Sequence, residues 1–539
     1  MRLACRRRGA RMKRGNDPQR RSQLAAQPAA AASASGSQAR EAGRERLIVV
    51  SNRLPFSFKP EGAGQWRAEP GSGGLVTALL PVLRNRGGTW IGWTGAVGGD
   101  ENLGEALAGA SAGTGYELAG VPLDAEEMEK FYLGFSNEII WPLFHDLQSL
   151  CNFDPAYWRI YSNVNAKFAD AILAHAGPAD FVWIHDYHLM SVAAGLRRRG
   201  LRSRLGFFLH IPFPPPDLFL KLPWRRTLIE SLLAHDLIGF QTARDRRNFV
   251  QCVRVLIKDA RIEGRGQVLA ARIGAREVRI GAFPISIDFA AFERRATAPE
   301  VADKAAELHR LLPKRKLILG VDRLDYTKGI PQRLQAFENL LERYPEMRER
   351  VSLIQVVVPS REDIPDYHRL RTEIEQRVGH INGRYARPGG WVPIWYEYRS
   401  LKRRELLAYY RAADIGLVTP LKDGMNLVAK EYCTCSIEED CVLVLSEFAG
   451  AAAQLERGAL LVNPYDIEGV ADTLRRAYDM EAGERKARMR RMRASIREHD
   501  VFWWVDSFLR AAITKDLRAF PRPEGRPPPE DALDDLLTF

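Results

Sequence analysis

Between Leu47 and Val462 the chain alternates short apolar runs with amphipathic stretches, and few folds accept that pattern. The runs fall into two sets. The first contains Leu47-Ile-Val-Val-Ser51, Phe181-Val-Trp-Ile-His185, Leu205-Gly-Phe-Phe-Leu209 and Leu237-Ile-Gly-Phe-Gln241. The second contains Lys316-Leu-Ile-Leu-Gly-Val321, Val351-Ser-Leu-Ile-Gln-Val-Val-Val358, Ile415-Gly-Leu-Val418, Val442-Leu-Val-Leu445 and Ala459-Leu-Leu-Val462. Strands apolar along their whole length are buried on both faces, and helical periods between them are the crossovers of a parallel sheet. We therefore expect an α/β chain of two doubly wound, Rossmann-like, parallel-sheet domains facing across a cleft. The first is expected over residues 46–283 and the second over 284–497, with the boundary near Pro284. A helix over about 498–517, apolar on one face through Asp500-Val-Phe-Trp-Trp-Val-Asp-Ser-Phe-Leu509, is expected to cross back to the first. Ligands of such sheets bind beyond the carboxyl ends of the strands, so strand exits are where chemistry is sought.

A formal net charge of +12 invites a nucleic-acid reading, but its distribution argues against one. Residues 1–46 hold twelve Arg or Lys against three acids, which leaves the body near neutral. A small excess of that kind fits a pocket for anionic small molecules, so no nucleic-acid partner is expected. Residues 1–45 lack hydrophobic periodicity and read as a disordered basic tail, and 518–539 as a loose Pro-rich one. No compact apolar segment follows the basic run, as a secretory signal would need, and no run approaches the length of a membrane helix. We expect no membrane association and a cytoplasmic location. Six cysteines in 539 residues make no disulfide framework. Cys433, Cys435 and Cys441 lack a fourth ligand at zinc spacing, so buried reduced thiols are expected.

The stretch Asp423-Gly-Met-Asn-Leu-Val-Ala-Lys-Glu431 follows a strand-like run and opens a helix. Gly424 permits close backbone approach to a ligand. The amides of Gly424, Met425, Asn426, Leu427 and Val428 then lie at a helix N-terminus, which favours a diphosphate through unpaired N–H groups and the macrodipole. Glu431, a turn further on, is placed to accept two ribose hydroxyls. Earlier, Val321-Asp-Arg-Leu-Asp-Tyr-Thr-Lys-Gly329 supplies Arg323 as a planar fork and Lys328 as a point charge. Each piece has a plain alternative: Asp-Gly is a turn, spaced cations are solvated, and an early helical Glu is a dipole partner. Their joint placing after apolar strands argues for a site. In the first half, Arg53 exits the first strand, and Gly71-Ser-Gly-Gly74 offers Gly73 and Gly74 for close approach to a phosphate or sugar. Asp186 and His210 end two further strands, where they can grip sugar hydroxyls. His185, His188 and His210 lack the helical i, i+4 spacing of a zinc pair, so no metal is expected.

Together these motifs resemble the trehalose-6-phosphate synthase family, retaining glycosyltransferases of the GT-B type. The resemblance runs from Leu47 to about Leu509 and is carried by VSNRLP, GSGGL, FSNEIIWPLFH, WIHDYHL, FFLHIPFP, GFQT, DRLDYTKG, PSRED, HINGRY and LVTPLKDGMNLVAKEY. It implies transfer of glucose from UDP-glucose to glucose 6-phosphate without metal or cofactor, giving α,α-trehalose 6-phosphate and UDP. On this resemblance Arg323, Lys328 and the 424–428 amides hold the donor diphosphate, Glu431 the ribose and Asp423 the transferred glucose. Gly73 and Gly74 close over the donor. Arg53, Tyr132, Trp141 and Arg361 form the acceptor phosphate pocket, with Asp186 and His210 beside the reacting sugars. Of these, Asp186, His210, Arg323, Lys328 and Asp423 are the expected catalytic set. The loop Tyr396–Leu401 matches less well, which leaves UDP, GDP and ADP open as the nucleotide. No D-x-D-x-T motif follows the transferase region, so a separate phosphatase is expected, and the enzyme is expected to be a homo-oligomer. Two competing readings are a glucosylglycerol-phosphate synthase using glycerol 3-phosphate and a non-catalytic regulatory subunit that binds sugar phosphate.

Overall fold

A computed structural model describes residues 46–513, apart from 63–64, 71–78, 80–82, 84–87, 99–100, 113–114, 362–363 and 388–389. Both expected tails, and Gly73 and Gly74, lie outside the described residues. The first strand, β1 (Leu47–Arg53), is followed by an antiparallel ribbon of β2 (Phe56–Gly62) and β3 (Gln65–Pro70). Then β4 (Thr89–Val97), β5 (Glu117–Leu123), β6 (Phe181–His185), β7 (Arg204–Phe208) and β8 (Leu237–Phe240) join β1 in parallel. Finally β9 (Arg261–Glu263), β10 (Val268–Ile273) and β11 (Arg276–Ala282) extend the sheet to the order β5-β4-β1-β6-β7-β8-β11-β10-β9. This sheet is mixed and not parallel throughout as expected, because β10 runs antiparallel to both β9 and β11. The connection between β10 and β11 turns at Gly274 with φ 57°, and a link that short can join only antiparallel neighbours.

The second sheet is parallel throughout, in the order β14-β13-β12-β15-β16-β17. Its strands are β12 (Lys316–Arg323), β13 (Val351–Val358), β14 (Ile394–Tyr398), β15 (Ile415–Val418), β16 (Val442–Ser446) and β17 (Leu460–Val462). Chain order reverses beside β1 in the first sheet and beside β12 in the second. A crevice opens beyond the strand ends at such a switch point, and Arg53 and Arg323 are the last residues of those two strands.

The helix Val501–Ile513 follows the second sheet in sequence but packs on the first. Its Phe508 stacks on Trp183 at 4.4 Å and 9°. Gly206 and Gly239 make room for it, since a Cβ at either position would meet Phe508 within 2.9 Å. Trp504 adds a second ring over Trp183 at 5.0 Å. Burial of large rings of this kind is among the strongest single contributions to a core.

Candidate active site

In the second sheet, backbone geometry fixes the cations. Arg323 ends β12, and Asp325 then caps the short 3₁₀ turn Tyr326–Lys328, accepting from the Thr327 amide at 3.0 Å and hydroxyl at 2.8 Å. Gly329, at φ 64°, turns the chain into the helix Ile330–Arg343. A Cβ there would lie 2.5 Å from the Thr419 carbonyl oxygen. Behind the turn, fully buried Arg333 pairs with Asp322 and donates to Gln355 at 3.1 Å and Thr419 at 3.0 Å, locking the ends of β12 and β13. Lys328 is thereby aimed at Asp423, Nζ to Oδ2 at 2.6 Å. Burial pushes the Asp423 carboxyl up, but Lys328 outweighs it and holds the group below the usual range.

The donor-side loop differs from expectation in two respects. The helix spans Leu427–Cys435, so of the five expected amides only those of Leu427 and Val428 lie in its first turn. Asn426, at φ 75°, cannot continue a right-handed helix; it caps one instead, its Oδ1 accepting from the Ala429 amide at 3.1 Å and its Nδ2 donating to Asp423 at 3.1 Å. Gly424, expected to admit a ligand, admits the first half of the chain, since a Cβ there would lie 2.2 Å from the His210 carbonyl oxygen. Glu431 accepts from the Tyr410 hydroxyl at 2.9 Å, and burial raises its carboxyl above the ordinary value.

Across the cleft, Arg53 leaves β1 exposed, its guanidinium 4.7 Å from the Trp93 ring and 5.3 Å from Tyr132. Tyr132 lies in a π-helix, Met128–Ile140, that runs into the helix Trp141–Phe144; wide turns of this kind recur at functional sites. Arg361, from the second half, sits 4.3 Å from the Trp141 ring and donates to Tyr367 at 2.8 Å and Tyr187 at 3.4 Å. Buried Asp325 lies 3.7 Å from the same guanidinium, and Tyr187 donates in turn to Asn137 at 3.0 Å. Burial alone would raise the Tyr132 phenol, yet Arg361, Arg53 and Arg323 together hold it below its ordinary value. The Trp141 ring therefore has Arg361 and, at 6.0 Å, Arg323 on it. Neither Arg53 nor Arg323 makes an ion pair among the described residues, whereas Lys328 and Arg361 face Asp423 and Asp325.

Asp186 and His210 meet beside this pocket. Asp186 follows β6 with φ 74° and ψ 167°, a region essentially reserved for glycine and costing about 1–3 kcal/mol. It accepts from the His210 amide at 3.3 Å. Burial lifts its carboxyl to about 7, overriding the amides of Tyr187 and His210 and the charges of Arg361 and Arg323. Burial also pushes the His210 imidazole down to about 3, so the ring is neutral, and it faces His185 across 3.1 Å. His145 donates Nδ1–H to the Trp141 carbonyl at 2.7 Å and is held at about 4, again by burial. Among the described residues no group of three or more His, Cys, Asp or Glu side chains is placed to hold a metal ion.

Two arginines from the second half, Arg323 and Arg361, thus share one tryptophan from the first. The sequence model of Glycosyltransferase family 20 matches residues 45–514. The chain belongs to glycosyltransferase family 20. It is 44% identical over 476 residues to the trehalose-6-phosphate synthase of Mycolicibacterium smegmatis, covering 87% of this chain and 92% of the relative. Among solved structures it resembles an α,α-trehalose-phosphate synthase (UDP-forming) from Burkholderia xenovorans in complex with glucose-6-phosphate, at TM-score 0.78 and 39% identity, covering 87% of this chain and 99% of that one. A trehalose-6-phosphate protein from E. coli bound with UDP-2-fluoro glucose gives TM-score 0.77 and 38% identity, with the same coverage of 87% and 99%. The architecture is GT-B.

In this family-20 chain the residues missed by the sequence reading are mostly those that hold others in place. Asp325 lies inside the quoted DRLDYTKG motif but was assigned no role; it fixes both the Lys328 turn and Arg361. Tyr367 and His145 likewise hold Arg361 and Trp141 through contacts six and four residues away, and Tyr187, itself bonded to Asn137, reaches Arg361 from a distant part of the chain. Cys252, Cys433, Cys435 and Cys441 are buried free cysteines, as expected, whereas Cys151 is only half-buried and Cys5 lies outside the described residues.

Proposed function

We propose that this chain moves glucose from UDP-glucose to glucose 6-phosphate, with retention at the transferred carbon, releasing UDP and α,α-trehalose 6-phosphate. The observation that carries the reading is the gathering of cations at strand exits around Tyr132 and Trp141: Arg323, Lys328 and Arg361 come from the second half and Arg53 from the first. A sugar nucleotide and a sugar phosphate each bring an anion remote from the carbon or hydroxyl that reacts. Arg323, Lys328 and the Leu427 and Val428 amides hold the donor diphosphate, with Gly424, Met425 and Asn426 forming the bend that presents them. Glu431 takes the ribose hydroxyls and Asp423 the glucose hydroxyls. Arg53, Tyr132, Trp141 and Arg361 hold the acceptor phosphate, and that remote binding aligns the anomeric hydroxyl with the donor carbon.

The glycosyl–oxygen bond breaks first, and negative charge grows on the departing diphosphate. Arg323 and Lys328 meet that charge with fixed positive groups, which is electrostatic catalysis. A diphosphate oxygen then takes the acceptor's proton as the new bond forms on the same face. Asp186 and His210 bind hydroxyls beside the reacting centre. The proposal includes a boundary near Pro284 between acceptor and donor domains, no resident cofactor, and a homo-oligomer in the cytoplasm whose product goes to a separate phosphatase. No helix among the described residues is long and apolar enough to cross a membrane.

The test is a matrix of UDP-, GDP- and ADP-glucose against glucose 6-phosphate and glycerol 3-phosphate, with products read by mass spectrometry. A disaccharide phosphate from the UDP-glucose and glucose 6-phosphate pair is expected. Product from glycerol 3-phosphate alone would overturn the acceptor assignment.

A further inference from the structure

The buried imidazole of His185 plays no part in the scheme above, yet it touches His210. His185 is the last residue of β6, and its register partner in β7 is Phe208, two residues before His210. Its ring is fully buried, with Trp183 at 4.7 Å, Trp504 at 6.4 Å and Phe208 at 6.5 Å. Its Nδ1 lies 3.1 Å from His210 Nε2, and its Nε2 has no hydrogen-bond partner among the described residues. Burial keeps both rings neutral, so the two facing nitrogens share one proton.

That proton has two possible placements. If His210 donated it, His185 would carry its own proton on Nε2, leaving an N–H sealed among aromatic rings with nothing to accept it. Orphaned buried N–H groups are rare in folded proteins. If His185 donates from Nδ1, its bare Nε2 leaves only an unfilled lone pair there. His210 then accepts at Nε2 and must carry its proton on Nδ1, the nitrogen that His185 does not occupy. His210 is partly buried, and Nδ1 is the ring nitrogen that His185 leaves free for a ligand.

The geometry points to His185 as a positioning residue for the transfer reaction: its Nδ1–H fixes His210 in the Nδ1–H tautomer, so that His210 presents a hydrogen-bond donor to an oxygen of the bound sugars. This rests on the transferase reading for the identity of that oxygen, but the tautomer itself does not. The two are separated by measuring them independently.

Selective ¹⁵N-histidine labelling of the full chain reads the tautomer, with His210→Gln used to assign the ring resonances. His210 is expected with a protonated Nδ1 and a bare Nε2. Observation of the reverse tautomer would overturn the proposal. His185→Leu, which keeps the side-chain volume but cannot donate, is expected to mix the two tautomers. Its kcat should fall about twofold, because losing the roughly fivefold population bias of an ordinary net hydrogen bond lowers the active tautomer from about five-sixths to about half, with both KM values little changed. His185→Asn places an amide where Nδ1 was and is expected to restore most of the loss. A well-folded His185→Leu with unchanged kcat and an unchanged His210 spectrum would also overturn the proposal, and the wild-type spectrum decides alone if that variant does not fold. Absence of any transfer by the unaltered enzyme would instead remove the functional reading, a result the resonances do not depend on.

Discussion

Asp186→Asn should make this protein more stable, and more so as pH rises. The carboxyl is lifted from its ordinary 3.8 to about 7 because burial outweighs two amides and two guanidinium groups. An acid raised in the folded state stabilises folding fully only below its unfolded pKa, and that contribution is lost as pH climbs through the folded pKa. Relative to the uncharged asparagine variant, the aspartate therefore costs under about 2 kcal/mol at pH 5 and roughly 4 kcal/mol at pH 8, at about 1.4 kcal/mol per pKa step. For a chain this long, roughly 1–2 °C of melting temperature accompanies each kcal/mol, so a rise of about 4–8 °C is expected at pH 8 and less than half of that at pH 5. Asparagine keeps the unfavourable φ of 74°. Asp186→Gly removes it as well and should add a further gain of about 1–3 kcal/mol that does not vary with pH. Scanning calorimetry of the three proteins across pH 5 to 8 separates charge from strain. A melting temperature for Asp186→Asn below that of the parent at pH 8 would refute the reasoning, because it would mean an ionised Asp186 is paired with Arg361 or Arg323.

Lys328→Ala removes a fixed charge facing Asp423 at 2.6 Å. Steady-state kinetics should show kcat lower by about 10²–10³-fold, the usual cost of one preorganised donor, with the glucose 6-phosphate KM little changed. Arg361→Ala should raise the KM for glucose 6-phosphate far more than that for UDP-glucose. It should also lower stability by about 3 kcal/mol, since buried Asp325 loses its cation. Gly424→Ala inserts a methyl 2.2 Å from the His210 carbonyl oxygen, which forces the two halves apart. A loss of about 1–3 kcal/mol and a kcat drop on the order of 10²-fold are expected from calorimetry and initial rates; an unchanged enzyme would show that this contact is not needed for turnover.

The legible parts of the fold were strands buried on both faces, because continuous apolar runs have no other explanation. β1, β6, β7, β8, β12, β13, β15 and β16 announce themselves in this way. β4 (Thr89–Val97) is broken by Gly92, Thr94 and Gly95, and β5 (Glu117–Leu123) by Gly120 and Pro122, so neither run reads as a strand. β14 is only partly buried, as an edge strand is, and its apolar signal is diluted accordingly. The π-helix over Met128–Ile140 leaves no trace in a search for 3.6-residue periods. At the site, motif residues whose own charge or position points at a ligand are legible, whereas Asp325, Asn137, His145 and Tyr187, which act on other side chains, are not, although they lie inside the same motifs. Tyr187 meets Arg361 from 174 positions away, and no spacing rule reaches so far. Gly424 illustrates a subtler limit: its need for a missing side chain was legible, but whether ligand or protein fills the space was not.

The most direct test of the central claim is a crystal structure of the enzyme with UDP and glucose 6-phosphate bound together. The diphosphate should lie between Arg323, Lys328 and the Leu427–Val428 amides, with the sugar phosphate against Arg53 and Arg361 and the Trp141 ring between the two anions. Diphosphate density outside that cleft, out of reach of both Arg323 and Lys328, would contradict the account.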